Sequence, residues 1–169
     1  DHQRQYRRNR GERDFAVVAI ADAGPGYPAV PPFHPSEPYP EYGSRPLGDT
    51  PNPIYGAVRR LFHDLGYDRE NWGRPSWNPL AGLIRPGDRV FIKPNLVTHE
   101  FRRSCGRDGD LFSIITHPSV VRAVADYAAL ALGGEGEIII GDNPSVDSRF
   151  DAILAATRLD LLPVLYRAH

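Results

Sequence analysis

Two short β-branched runs, Val90-Phe91-Ile92 and Ile138-Ile139-Ile140, flank one long helical pattern that opens at Pro118 and is closed by Gly133-Gly134. That order leaves few folds open. A strand, a helix and a second strand in succession form a parallel pair joined by a right-handed crossover. Apolar runs without polar alternation are those of strands covered on both faces. A third such run, Phe-Ala-Val-Val-Ala-Ile-Ala, occupies residues 15–21. Asn52-Pro53 then opens a helix as cap and first-turn proline; Ile54, Val58, Leu61, Phe62 and Leu65 share one face, and Gly66 ends it. A further helix begins near Val146 or Ser148 and runs to Arg158, and Asp160 caps a last one. The expected fold class is α/β: a mostly parallel sheet with flanking helices in three layers, in a domain that is incomplete.

The 169 residues suit one domain, and a hydrophobic fraction of 41% is enough to pack its core. Residues 1–13 read as a basic, disordered tail and residues 14–169 as a single α/β domain fragment. The chain has no methionine and stops just after a helical pattern, as a piece cut at the front and the back would. Residues 24–53 are loaded with Pro and Gly, with Tyr27, Phe33, Tyr39 and Tyr42 spaced among them. Such a segment cannot run as helix or central strand, and is expected as a long loop lying over the domain. Trp72 and Trp77 read as a satellite core, and His63 as a helix-surface residue. In the helix after Pro118, Val120, Val121, Val124, Ala125, Ala128 and Leu132 form a broad buried face. Ser119, Arg122 and Asp126 share the outer side, the last two spaced for a weak ion pair.

A net charge of -1 argues against a general binder of nucleic acid or membrane surfaces. The arginines among residues 4–13 fit a solvated tail better than an RNA-binding arm. No apolar run approaches the ~18 residues of a membrane span. Arg7-Arg8 before the first apolar run imitates a twin-arginine signal, but a buried strand flanked by Asp14 and Asp22 is the better reading, and a cytoplasmic location is expected. Cys105 stands alone, so it forms no internal disulfide and supplies no iron–sulfur ligand set, which takes about four thiolates. The cofactor is therefore left unknown, as is the oligomeric state.

Lys93 is the only lysine among the 20 Lys and Arg residues, and it ends the second apolar run. An ammonium is a compact point charge that can lose its proton when buried, which a guanidinium does not do. In parallel sheets, ligands gather beyond the carboxyl ends of the strands. Three polar clusters meet that rule: Lys93-Pro94-Asn95, Gly141-Asp142-Asn143-Pro144-Ser145, and Thr116-His117 at the start of the linking helix. Lys93, His117 and Asp142 are the candidate catalytic residues: Lys93 to hold or polarise an anion, His117 to transfer a proton near neutral pH, and Asp142 to orient Lys93 or a metal. Asn95, Thr116, Asn143 and Ser145 are candidate ligand-binding residues, beside a helix N-terminus whose N–H groups favour anions. The plainer alternatives are that Thr116 or His117 caps the helix and that Asp142 forms an Asx-turn.

A second candidate region joins His99 and Glu100 with Cys105, Asp108 and Asp110. These are metal-ligand types, but their spacing fits no zinc or calcium pattern, and Arg102, Arg103 and Arg107 among them disfavour a cation. No metal site is assigned. Neither a phosphate-binding loop, a G-x-G-x-x-G fingerprint nor a G-x-S-x-G elbow is present.

The segments Gly87-Asp88-Arg89-Val90-Phe91-Ile92-Lys93-Pro94-Asn95-Leu96-Val97, Ile115-Thr116-His117-Pro118 and Ile138-Ile139-Ile140-Gly141-Asp142 resemble, in order and spacing, the family called domain of unknown function 362. The resemblance covers about residues 86–160 and implies the front half of the family domain; residues 24–80 carry none of it. Membership implies no particular reaction. Some members carry a ferredoxin-like iron–sulfur segment, and this chain departs from them in having no cysteine cluster. The function expected is an enzyme acting on an anionic small metabolite, phosphorylated or carboxylated. The alternatives are a non-catalytic ligand-binding or assembly module, or a redox protein whose iron–sulfur segment lies outside this stretch.

Overall fold

A computed structural model describes residues 17–24, 26–101 and 110–166. The basic tail, the first two residues of the run at 15–21, and Arg102, Arg103, Cys105, Arg107 and Asp108 lie outside the described residues. The elements are α1 (Pro53–Asp64), β1 (Arg89–Ile92), α2 (Pro118–Leu132), β2 (Glu137–Ile140), α3 (Phe150–Thr157) and α4 (Leu162–Tyr166), with short 3-10 turns between them. The protein is α/β, with four helices and a two-stranded parallel sheet among the described residues.

β1 and β2 pair in parallel with Arg89 against Glu137, Val90 against Ile138, Phe91 against Ile139 and Ile92 against Ile140. The helix between them, α2, is started by His117, whose side chain accepts from the Ser119 amide, and by Pro118 at its first position. Gly133 ends it in the left-handed conformation, donating back to the Ala129 carbonyl at 3.1 Å. Glu135 to Glu137 must then turn hard against the chain entering β1. Gly136 has φ +111°, and a Cβ there would collide with the Asp88 carbonyl, so only glycine fits.

The period of two in each strand sends Val90, Ile92, Ile138 and Ile140 to one face. Val90, Ile92 and Ile138 pack on a core built from Ile54, Tyr55 and Val58 of α1 and Ala123, Tyr127 and Ala128 of α2. Ile92 and Ile140 also meet a second cluster of Leu96, Val121, Ile153, Leu159 and Leu162. The opposite face is open among the described residues: Phe91 is 59% exposed, and Arg89 pairs with Glu137 there at 2.6 Å. Burial on both faces, expected from the unbroken apolar runs, is thus found on one.

Among the described residues the expected first strand is not formed. Residues 17–21 belong to no strand, and Val17, Val18 and Ile20 are exposed. β-Branched composition favours a half-buried pleated surface, and among the described residues no such surface lies against the segment. Downstream the chain is anchored again, where Arg60 donates to the Asp22 carbonyl at 3.1 Å and Ala23 packs against the core.

The Pro/Gly-rich segment is held to the helices by buried polar groups. Asn52 caps α1, accepting from the Tyr55 amide, and donates to the carbonyls of Phe33 and His34 at 2.9 and 3.0 Å. Arg59 grips Glu41 with two hydrogen bonds, and Tyr127 donates to the same carboxylate at 2.9 Å. Three smaller expectations need correction. Arg122, Asp126 and Ser119 are buried rather than on an outer side, because the Pro/Gly-rich segment and α4 cover that face. Trp77 belongs to the main core, fully buried with its indole N–H on the Tyr67 carbonyl at 3.2 Å. Asp160 lies inside a 3-10 turn (Leu159–Leu161) ahead of α4, where it faces Arg158 rather than capping a helix.

Candidate functional site

Beyond the strand ends the two chains stay side by side, and side chains replace the ladder. The Gly141 amide first extends the sheet by donating to the Ile92 carbonyl at 3.2 Å. The Leu96 amide then donates to Asp142 Oδ2 at 2.6 Å. Ser145 donates to the Val97 carbonyl through both its amide, at 3.0 Å, and its hydroxyl, at 2.8 Å. Last, the Arg149 amide donates to His99 Nδ1 at 3.2 Å, and the Ser148 hydroxyl lies 3.3 Å from the same nitrogen. Each partner sits at nearly the same offset beyond Ile92 and Ile140, so this zipper continues the parallel register without sheet geometry.

Lys93 and Asp142 meet at its start, with Nζ 2.5 Å from Oδ1. Their environments differ sharply: the Asp142 side chain is 5% exposed and that of Lys93 is 64% exposed. The hydrogen bond from Lys93, then that from the Leu96 amide, hold the Asp142 carboxyl below the usual carboxylate range. The carboxylate is an ionised anchor with both oxygens engaged, and the ammonium it orients faces outward with donors to spare.

Asn95 and Thr116 bind the loop before α2 to this edge. The Asn95 amide donates to Thr116 Oγ1 at 2.9 Å, the Thr116 amide returns to the Asn95 carbonyl at 2.8 Å, and Asn95 Nδ2 donates to the Ile114 carbonyl at 2.8 Å. Both polar side chains therefore have positioning duties. Asn143 is exposed beside Asp142. Of the seven residues singled out from sequence, Lys93, Asn95, Thr116, Asp142, Asn143 and Ser145 lie along the two post-strand segments or are bonded to them.

His117 differs. Its ring is buried, stacked on Tyr27 with centroids 4.3 Å apart and flanked edge-on by Phe112 and Phe33. Nδ1 accepts from the Ser119 amide at 3.2 Å and lies 2.8 Å from the Ser119 hydroxyl. Burial lowers its pKa to about 4, against a smaller opposing pull from Asp110. A neutral imidazole whose nitrogen caps α2 is a structural group, and proton transfer is not assigned to it.

His99 and Ser148 were not brought together by sequence reasoning, which placed His99 in a separate cluster and read Ser148 only as the start of a helix. The signal that could have found them was the offset rule: residues equally far beyond paired strand ends remain neighbours while the two chains run parallel. Among the described residues, no three His, Cys, Asp or Glu side chains are grouped so as to hold a metal ion. Among the same residues, no helix is long and apolar enough to cross a membrane.

Comparison with known proteins adds little chemistry. No family model matches the chain, and no solved structure matches it. One stretch of 74 residues is 39% identical to the thylakoid-associated protein sll1697 of Synechocystis sp.. That match covers 41% of this chain and 19% of the relative's length, and the relative's name gives a location and no reaction.

Proposed function

We propose that the chain is part of an enzyme that binds an anionic small molecule, phosphorylated or carboxylated, beyond the carboxyl ends of β1 and β2. The observation that carries this reading is the Lys93–Asp142 pair, in which a buried, ionised carboxylate aims an exposed ammonium outward from the strand ends. An ammonium held in this way needs no rearrangement to accept an anion, so less ordering entropy is lost on binding. Membership of the domain of unknown function 362 family belongs to the same proposal. It is supported by the positions of the motifs, which fall on β1 with Lys93, on the start of α2, and on β2 with Asp142. So do further strands and a second helical layer over the Phe91 face, which would complete a three-layer sandwich, and a cytoplasmic location.

The test is a titration of the 15N-labelled chain with inorganic phosphate and, separately, malonate, followed by NMR. Saturable shifts at millimolar anion in the amides around Lys93, Asn95 and Asn143 are expected, and Lys93→Ala should weaken binding about tenfold or more. Shifts that do not saturate, or that Lys93→Ala leaves unchanged, would overturn the reading.

A further inference from the structure

The zipper ends in an arrangement that the anion reading does not use. Ser148 Oγ lies 3.3 Å from His99 Nδ1, and His99 Nε2 lies 3.8 Å from Glu100 Oε1. A hydroxyl, an imidazole and a carboxylate in that order are the parts of an activated serine, which is recognised by geometry and roles rather than by position in the chain. We propose that Ser148 is a nucleophile, His99 its general base and Glu100 the group that orients His99, so that the site cleaves an ester of the anionic molecule held by Lys93. The inference rests on the anion reading for its substrate class and on these three side chains for its chemistry.

Three observations favour chemistry over plain capping. First, the Arg149 amide donates to His99 Nδ1 at 3.2 Å. This places the ring proton on Nε2, the tautomer a base at Nδ1 requires, and the Ser148 hydroxyl shares the Nδ1 lone pair with that amide. Glu100 Oε1 lies 3.8 Å from Nε2, beyond a direct hydrogen bond but close enough for its charge to stabilise the imidazolium as it forms. Second, the neighbouring Ser145 hydroxyl is committed to the Val97 carbonyl at 2.8 Å, whereas the Ser148 hydroxyl faces a basic nitrogen. Third, α3 begins just after Ser148, and its cap residue, Arg149, gives it no side-chain hydrogen bond. The amides of that first turn are donors for an oxyanion beside the nucleophile.

The step balances without a further cofactor. Ser148 Oγ bonds to the ester carbonyl carbon while its proton passes to His99 Nδ1, which gives up the hydrogen bond from the Arg149 amide as it takes the proton. The ester C–O bond breaks, and His99 returns the proton to the leaving alkoxide. Water, deprotonated by His99, then cleaves the acyl-serine to the free acid and restores the hydroxyl.

A neutral alkyl fluorophosphonate tests the nucleophile without calling on Lys93: Oγ bonds to phosphorus, fluoride leaves and the proton goes to His99. Mass spectrometry of the digested chain should show one adduct, on Ser148, absent in Ser148→Ala. His99→Gln keeps an acceptor for the Arg149 amide but removes the base, and should slow labelling about a hundredfold with an unchanged circular dichroism spectrum. Glu100→Gln should slow it less. No adduct on Ser148, or labelling that His99→Gln leaves at the wild-type rate, overturns the proposal. Anion binding at Lys93 is read separately by titration, so the failure of one reading is distinguishable from the failure of the other.

Discussion

Arg122 Nε donates to Asp126 Oδ2 across 2.9 Å, one turn apart on α2, with each side chain only 3% exposed. The pair anchors three other parts of the chain. Asp126 also accepts from the hydroxyls of Tyr55 of α1, at 3.1 Å, and Tyr166 of α4, at 2.7 Å. Arg122 also donates to the Pro32 carbonyl, at 3.2 Å, and the Tyr42 hydroxyl, at 3.1 Å. Removing one member of a buried ion pair strands the other, which costs about 3–5 kcal/mol. Asp126→Ala should therefore lower the unfolding free energy read from urea denaturation by that much. The double change Arg122→Met with Asp126→Leu should recover part of the loss. It cannot recover all of it, because the Tyr55 and Tyr166 hydroxyls then have no acceptor.

Lys93 and Asp142 are equal partners in distance and unequal in stability. Lys93 is largely exposed, and an exposed ion pair contributes about 0–1 kcal/mol. Asp142 is buried and also receives the Leu96 amide at 2.6 Å. Leaving that donor unmet costs about 1–3 kcal/mol. Chemical denaturation should place Lys93→Ala near the wild type and Asp142→Ala clearly below it. Equal losses would mean that the ammonium, rather than the amide, holds the carboxylate in place.

The pH dependence of stability should carry the mark of His117. Its folded pKa, about 4, lies below its ordinary value of 6.5, so the unfolded chain binds more protons between those values. Stability then rises with pH across that window, and falls as pH drops from about 6.5 to about 4. Asp142 acts lower down: its folded pKa is depressed, so its contribution is present above its ordinary value of 3.8 and is lost as pH falls through the depressed one. His117→Asn retains a capping oxygen for the Ser119 amide and removes the titrating ring. Urea denaturation at a series of pH values should show a flatter profile for this variant between pH 6.5 and 4, whatever its absolute stability.

The path from sequence to site was legible where one local rule decided the outcome. Asn52-Pro53 and His117-Pro118 start helices, Gly133 stops one, and Val90 to Ile92 pairs with Ile138 to Ile140 in parallel. Lys93 meets Asp142 because both follow paired strand ends. Composition failed where tertiary cover decided. Residues 17–21 have the composition of a strand and pair with none among the described residues, and Arg122 and Asp126 have surface charges and a buried place. The role of His117 turned on Tyr27, Phe33 and Phe112, which come from distant segments that no local pattern connects to it. His99 and Ser148 meet through register rather than through any motif.

Gly136 should tolerate no side chain. Its φ of +111° is a conformation that L-residues rarely adopt, and a Cβ there would run into the Asp88 carbonyl and the Leu132 side chain. Leu132 could shift, but the Asp88 carbonyl cannot, because it accepts the Glu137 amide at 3.1 Å and so fixes the first rung between β1 and β2. Gly136→Ala must open that rung or distort the turn, and a cost of about 1–3 kcal/mol is expected from overpacking alone, with backbone strain added. Gly134 has φ +87° but open space around it, so Gly134→Ala carries the strain without the collision. Thermal unfolding of the two variants should rank Gly136→Ala as the more damaging, and hydrogen exchange should show the loss first at the Glu137 amide. Equal effects would mean that backbone conformation, and not the close approach of the two strands, is what the glycine serves.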